Sequence, residues 1–308
     1  MSRVLFGALL LVLALSPFEA GYPPLGRFLW ATFTNLEVIL FVLAGAYLVT
    51  LARDGEARRR LRRLPLLWPI VALVGASVVS TIFGEYKSLG VQFIYRLLMG
   101  VVVYAVAWEV LRGRRRLLTA LFVFVGAGLV AALIGLLEFA PSLNIQPILR
   151  AFKPQATTVG GMLRLSGTFE YANGAAMYFE MALPVLVSLA MLFSSRRLIA
   201  DLFGEGRVPE SNRRGVLALL YVGVGVYMMA LILTFSRAAL GGVLVALAVF
   251  GVMAIVRRKT NVITNYELRI TEENPKSGYP LSDRNPKSSN SQSVVIWRAL
   301  AITAGVMV

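Results

Sequence analysis

The sequence predicts a polytopic bundle of transmembrane α-helices, and three observations carry that prediction. Long apolar runs recur along the chain, which is 57% hydrophobic and only 15% charged, where a soluble domain carries about a quarter charged residues. The runs are solid rather than alternating, as spanning helices of about 20 residues are and barrel strands are not. The formal net charge of +15 gathers in alternate connections between the runs, which marks cytoplasmic loops rather than a nucleic-acid surface. Cysteine and histidine are both absent. Disulfides, thiolate chemistry, an imidazole base and a histidine-ligated metal are thereby excluded from this chain.

The elements follow in order. Val4 to Leu15, after Met-Ser-Arg, is short and closed by Ser16-Pro17. Its length and basic flank suit a signal-peptide core, but the proline disfavours cleavage there, and a retained first helix is expected. Further spans are expected over about Phe28–Leu51, Leu64–Phe83, Ser88–Leu111, Leu117–Ala140, Tyr171–Phe193, Val216–Leu233 and Ala238–Val256, making eight. The second ends in Arg58-Arg59-Arg60, the fourth in Arg114-Arg115-Arg116, the sixth in Arg196-Arg197 and the eighth in Arg257-Arg258-Lys259. This alternation puts the amino terminus inside and the long loop Pro141–Phe169 outside. Thr260–Ser293 is polar and repeats Asn274-Pro-Lys-Ser277 as Asn285-Pro-Lys-Ser288; it buries too little apolar area to offset ordering and reads as a cytoplasmic linker. Val294–Val308 opens another apolar run, about 22 Å long as a helix against a hydrocarbon core of about 30 Å. The expected organisation is therefore a bundle over 1–256, a linker over 257–293 and a truncated ninth span over 294–308, the front part of a longer protein.

Two stretches carry the chemistry. Arg164-Leu-Ser-Gly-Thr-Phe-Glu-Tyr-Ala-Asn173 runs into the sixth span, and Thr234-Phe-Ser-Arg-Ala-Ala-Leu240 joins the seventh to the eighth. The sixth and eighth spans both start outside, where helix amino termini expose unpaired N–H groups and a positive dipole end. Arg164 precedes one start and Arg237 lies at the other, after Ser236 as N-cap. Planar, permanently charged guanidinium groups suit phosphate, so the pattern describes a diphosphate site; the plain alternative is that both arginines anchor helix ends among lipid head groups. Arg96 shares a helical stripe with Ser88 and Gln92, about 12 Å into its span. It is expected either to face a wet cavity or to pair with Glu138 or Glu180. Glu180 follows Asn173 by seven residues on one face, with Pro184 beyond it opening the backbone ladder; its alternative role is an internal ion pair. Glu138 is expected to reach water at its helix end. The external loop adds Arg150, Lys153 and Gly160-Gly161.

These stretches resemble the motifs of the O-antigen ligase and O-antigen polymerase superfamily: the Gly167-Thr-Phe169 element leading to Asn173, and Ser236-Arg237-Ala238 in the next helical pair. The resemblance implies an all-α, GT-C-like membrane glycosyltransferase in the bacterial cytoplasmic membrane, needing no metal or cofactor, active on its extracytoplasmic face. It would move a glycan from undecaprenyl diphosphate to an acceptor hydroxyl on a glycan or lipid. On it, Arg164 and Arg237 are the catalytic residues, and Arg96, Lys153, Tyr171, Asn173 and Glu180 are candidate substrate contacts. The family's general-base histidine has no counterpart here and is expected beyond Val308; Ala172 stands where proline is common. The rival readings are a transporter or lipid-linked oligosaccharide flippase, suggested by Arg96, Glu138 and Glu180 within the membrane, and an inactive assembly subunit.

Overall fold

A computed structural model describes residues 2–18, 26–28, 31–140, 145–153, 155, 157–159, 161–195, 210–249 and 251–252. The elements are α1 (Ser2–Leu15), β1 (Gly26–Phe28), β2 (Ala31–Phe33), α2 (Asn35–Arg53), α3 (Gly55–Arg62), α4 (Leu67–Phe83), α5 (Lys87–Val110), α6 (Arg114–Leu137), α7 (Gln146–Leu149), β3 (Thr158–Val159), β4 (Met162–Leu163), α8 (Ala172–Ser194), α9 (Glu210–Leu233) and α10 (Arg237–Val249). Five of the helices, α2, α5, α6, α8 and α9, are long and apolar enough to cross a membrane, and a sixth is reached only if the bent pair α3–α4 counts as one span. The chain is thus a helical, multi-pass membrane protein in architecture. Eight spans are not shown among the described residues: α1 is short, α4 qualifies only with α3, and the eighth expected span, 238–256, is described only over 238–249 and 251–252.

The second span also starts later than expected. Gly26–Phe28 and Ala31–Phe33 pair as antiparallel strands, Gly26 opposite Phe33, and the helix begins only at a capping box. The Thr34 hydroxyl accepts from the Glu37 N–H, and the Glu37 carboxylate accepts from the Thr34 N–H at 3.1 Å. Satisfying both orphan donors at once fixes the start there. Further on, α3 and α4 meet at a 78° bend, with Leu66 at φ 60 between them, a conformation that costs a branched residue and marks a true break.

Two packed cores position the candidate site. Leu5, Leu9 and Val12 of α1 pack with Leu43 and Tyr47 of α2 and Val106 and Val110 of α5, all buried. The second core joins α6, α8 and α9 through rings. Phe124 and Tyr178 lie 4.9 Å apart and Phe179 and Tyr227 5.5 Å apart. The tyrosine hydroxyls donate to the Phe124 and Val125 carbonyls at 2.8 and 2.7 Å, so their burial leaves no unpaired group. Gly128 makes room: a Cβ there would sit 2.3 Å from the Tyr178 ring and from the Tyr227 hydroxyl. α8 runs continuously through Pro184. The chain divides into compact units Met1–Leu240 and Gly241–Val308; the expected linker and ninth span lie outside the described residues.

Candidate functional site

The loop between α6 and α8 is seated from below by a buried charge pair. Lys153 Nζ lies 2.6 Å from Glu138 Oε1 and 2.5 Å from Ser166 Oγ, with Lys153 2% and Glu138 8% exposed. The second Glu138 oxygen accepts from the Gly167 N–H at 3.2 Å. Gly167 holds φ +54, and a Cβ there would stand 3.0 Å from Gly135 Cα and 3.1 Å from the Ala131 carbonyl oxygen. Only glycine meets both demands. Around this anchor Leu165, Ser166 and Thr168 are fully buried, and the Thr168 hydroxyl donates to the Pro17 carbonyl at 2.5 Å. Gly161, just before β4, holds φ +81, a left-handed backbone that glycine adopts without a steric penalty.

This seating delivers Arg164 to the junction of α9 and α10. The Leu165 N–H donates to the Leu233 carbonyl at 2.9 Å. The Arg164 Nε donates to the Thr234 carbonyl at 2.7 Å, and its Nη2 to Asn173 Oδ1 at 3.0 Å. The two stretches singled out in the sequence, seventy residues apart, are therefore joined directly. Guanidinium has five N–H donors; two of them are engaged here. Past the junction Phe235 holds φ 51, left-handed for a bulky side chain, and strain of that kind costs about 1–3 kcal/mol and collects at functional sites. Ser236 Oγ accepts from the Ala239 N–H at 3.5 Å, a weak cap. Arg237 opens α10, exposed, with no hydrogen bond or ion pair among the described residues.

The remaining candidates separate. Asn173 and Tyr171, at the start of α8, are exposed, and the Glu170 carboxylate bonded to the Tyr171 hydroxyl pushes that phenol's ionisation up. Lys153, expected as a substrate contact, has its ammonium shut inside the protein on Glu138 and Ser166. Glu138 likewise does not reach water. Arg96 is exposed on α5 and is not the partner of Glu138. Glu180, half-buried in α8, makes no hydrogen bond or ion pair among the described residues. Arg150 is exposed. A groove of about 510 Å³ between α4 and α5, lined by Leu73, Ser80, Leu89 and Phe93 among others, includes none of the candidates. Among the described residues no acidic cluster is placed to hold a metal ion.

Sequence reasoning missed the Glu138–Lys153 pair, although a signal was present. A lysine in a loop expected on the outer side runs against the usual charge bias, and a glutamate stood at the adjoining helix end. Comparison with protein-family models, curated proteins and solved structures gives no match.

Proposed function

We propose that this chain is a membrane glycosyltransferase of the ligase or polymerase type, moving a glycan from a polyprenyl diphosphate to an acceptor hydroxyl at the outer face of the bacterial cytoplasmic membrane. The observation that carries the reading is the bond from Arg164 to the Thr234 carbonyl, which brings the two arginine-bearing stretches to one place at the starts of α8 and α10. Arg237 supplies an unengaged guanidinium there and Arg164 its remaining donors. Two cations and two helix starts suit a diphosphate, whose charge grows as the sugar departs. In this reading Arg164 and Arg237 hold the diphosphate and stabilise that charge. Asn173 orients Arg164, and Tyr171 borders the entrance.

The test uses the full chain in detergent or nanodiscs, with geranylgeranyl diphosphate as probe and geranylgeraniol as control. A charge-assisted contact contributes about 1.5–3 kcal/mol, so Arg237→Ala is expected to weaken diphosphate binding roughly 10- to 150-fold. Equal binding of the alcohol, or unchanged binding by Arg237→Ala, would overturn the reading. Transport reading predicts a different outcome: reconstituted protein would change the flux of a lipid-linked oligosaccharide across the bilayer without transferring its glycan.

A further inference from the structure

At the end of the bundle remote from the Arg164 loop, a second basic surface is built on α3. The two ends are separated by the length of α6, whose 24 residues span about 36 Å. Asp54 caps α3, its carboxylate accepting from the Glu56 N–H at 2.8 Å, a bond that holds the Asp54 carboxyl below its ordinary range. One face of α3 is docked: Ala57 is fully buried, Leu61 packs on the core of α1, α2 and α5, and Leu64 just beyond is 5% exposed. The Tyr104 hydroxyl then bonds the Pro65 carbonyl at 2.9 Å. The 78° bend to α4 turns this short helix away from the span that follows it.

The charges on α3 are sorted. Arg60 alone turns inward, at 2.8 Å from Glu109 and 3.1 Å from both Asp54 and Glu56. It takes up the acidic side chains of α3, its cap and the end of α5. What remains outside is uncompensated: Arg58, Arg59, Arg62 and Arg63 are exposed and make no side-chain hydrogen bond or ion pair among the described residues. Arg112 and Arg115, just past Glu109, are exposed in the same way.

We infer that α3 and the α5–α6 turn form a platform that binds the headgroups of acidic phospholipids. The platform adjoins the ends of α2, α4 and α5, where a bilayer presents its phosphates, and its cations are fixed by the docked face and the Arg60 pairs. Each arginine held near an anionic leaflet adds about 1 kcal/mol, and the attraction is screened by salt. Charge bias in a floppy loop would orient the chain equally well; a folded, capped helix whose only paired arginine serves to hold it down is built for sustained contact. This inference is independent of the glycan reading.

The test compares the full chain with the triple variant R58Q/R59Q/R62Q, each purified in neutral detergent. Native mass spectrometry counts retained phosphatidylglycerol against phosphatidylcholine, and thermal scans follow each lipid at low and high salt. The wild-type chain is expected to retain phosphatidylglycerol selectively and to be stabilised by it in a salt-sensitive way; the triple variant should bind it roughly 100-fold more weakly with an unshifted lipid-free midpoint. Arg150→Gln, at the other end, is expected to change nothing. Equal retention of both lipids by the wild type, undiminished phosphatidylglycerol binding by the triple variant, or preference for a soluble polyanion such as heparin over phosphatidylglycerol would each overturn the inference. If the triple variant does not fold, single substitutions at Arg58, Arg59 and Arg62 carry the same comparison, each with a several-fold loss.

Discussion

Cutting the Glu138–Lys153 pair from either side should unseat the loop that carries Arg164, while removing both charges should not. Lys153→Met leaves a carboxylate buried without its cation, and Glu138→Gln leaves an ammonium buried without its anion. Removing one partner of a buried pair costs about 3–5 kcal/mol. The assay is native-state hydrogen exchange at the amides the loop uses: Arg164 N–H on Thr157, Leu165 N–H on Leu233, and Gly167 N–H on Glu138. At about 1.4 kcal/mol per decade, opening should rise roughly 100- to 4,000-fold in the single variants.

The double variant Glu138→Gln with Lys153→Met buries no charge and keeps an amide oxygen facing Gly167, so its protection should stay within about tenfold of wild type. Single variants as protected as wild type, or a double variant as open as the singles, would refute the reasoning.

Gly167→Ala should lower the thermal midpoint by the equivalent of about 1–3 kcal/mol, from its left-handed backbone and the close α6 backbone, whereas Gly174→Ala, with nothing within 4 Å, should leave it unchanged. Arg164→Ala should cost about 1.5–3 kcal/mol of stability through its bonds to Thr234 and Asn173. Arg237→Ala should shift the same denaturation midpoint by less than about 0.5 kcal/mol, which separates a binding role from a structural one. Spectrophotometric titration of Tyr171 should show its phenol ionising above the ordinary range and moving back toward it in Glu170→Gln, since the carboxylate is the leading cause of the rise.

Much of this arrangement was legible in the amino acids. Solid apolar runs and arginine-rich connections place α2, α5, α6, α8 and α9, because length and hydropathy alone decide whether a helix suits a bilayer. The pairing of the Arg164 stretch with the Thr234–Arg237 stretch was legible as well, because both sit where a helix must start. Side-chain partnership was not. Lys153 and Glu138 read separately as a ligand contact and a wetted helix end, since nothing local states that the intervening loop folds back between them. The late start of α2 was written in Thr34-x-x-Glu37, yet hydropathy counting runs across such a cap. The 78° break hides equally well: Leu66 carries no turn signature, yet its backbone is left-handed.

The ties of the Arg164 loop also fix an order of manufacture. Its floor is complete once residue 167 meets Glu138, but its upper bonds go to Leu233 and Thr234. A nascent chain must therefore deliver α9 into the bilayer before the arginine finds its carbonyl, and the strap from Thr168 back to Pro17 reaches across 151 residues already made. An insertion machinery handling this protein has to keep its first helix within reach until then.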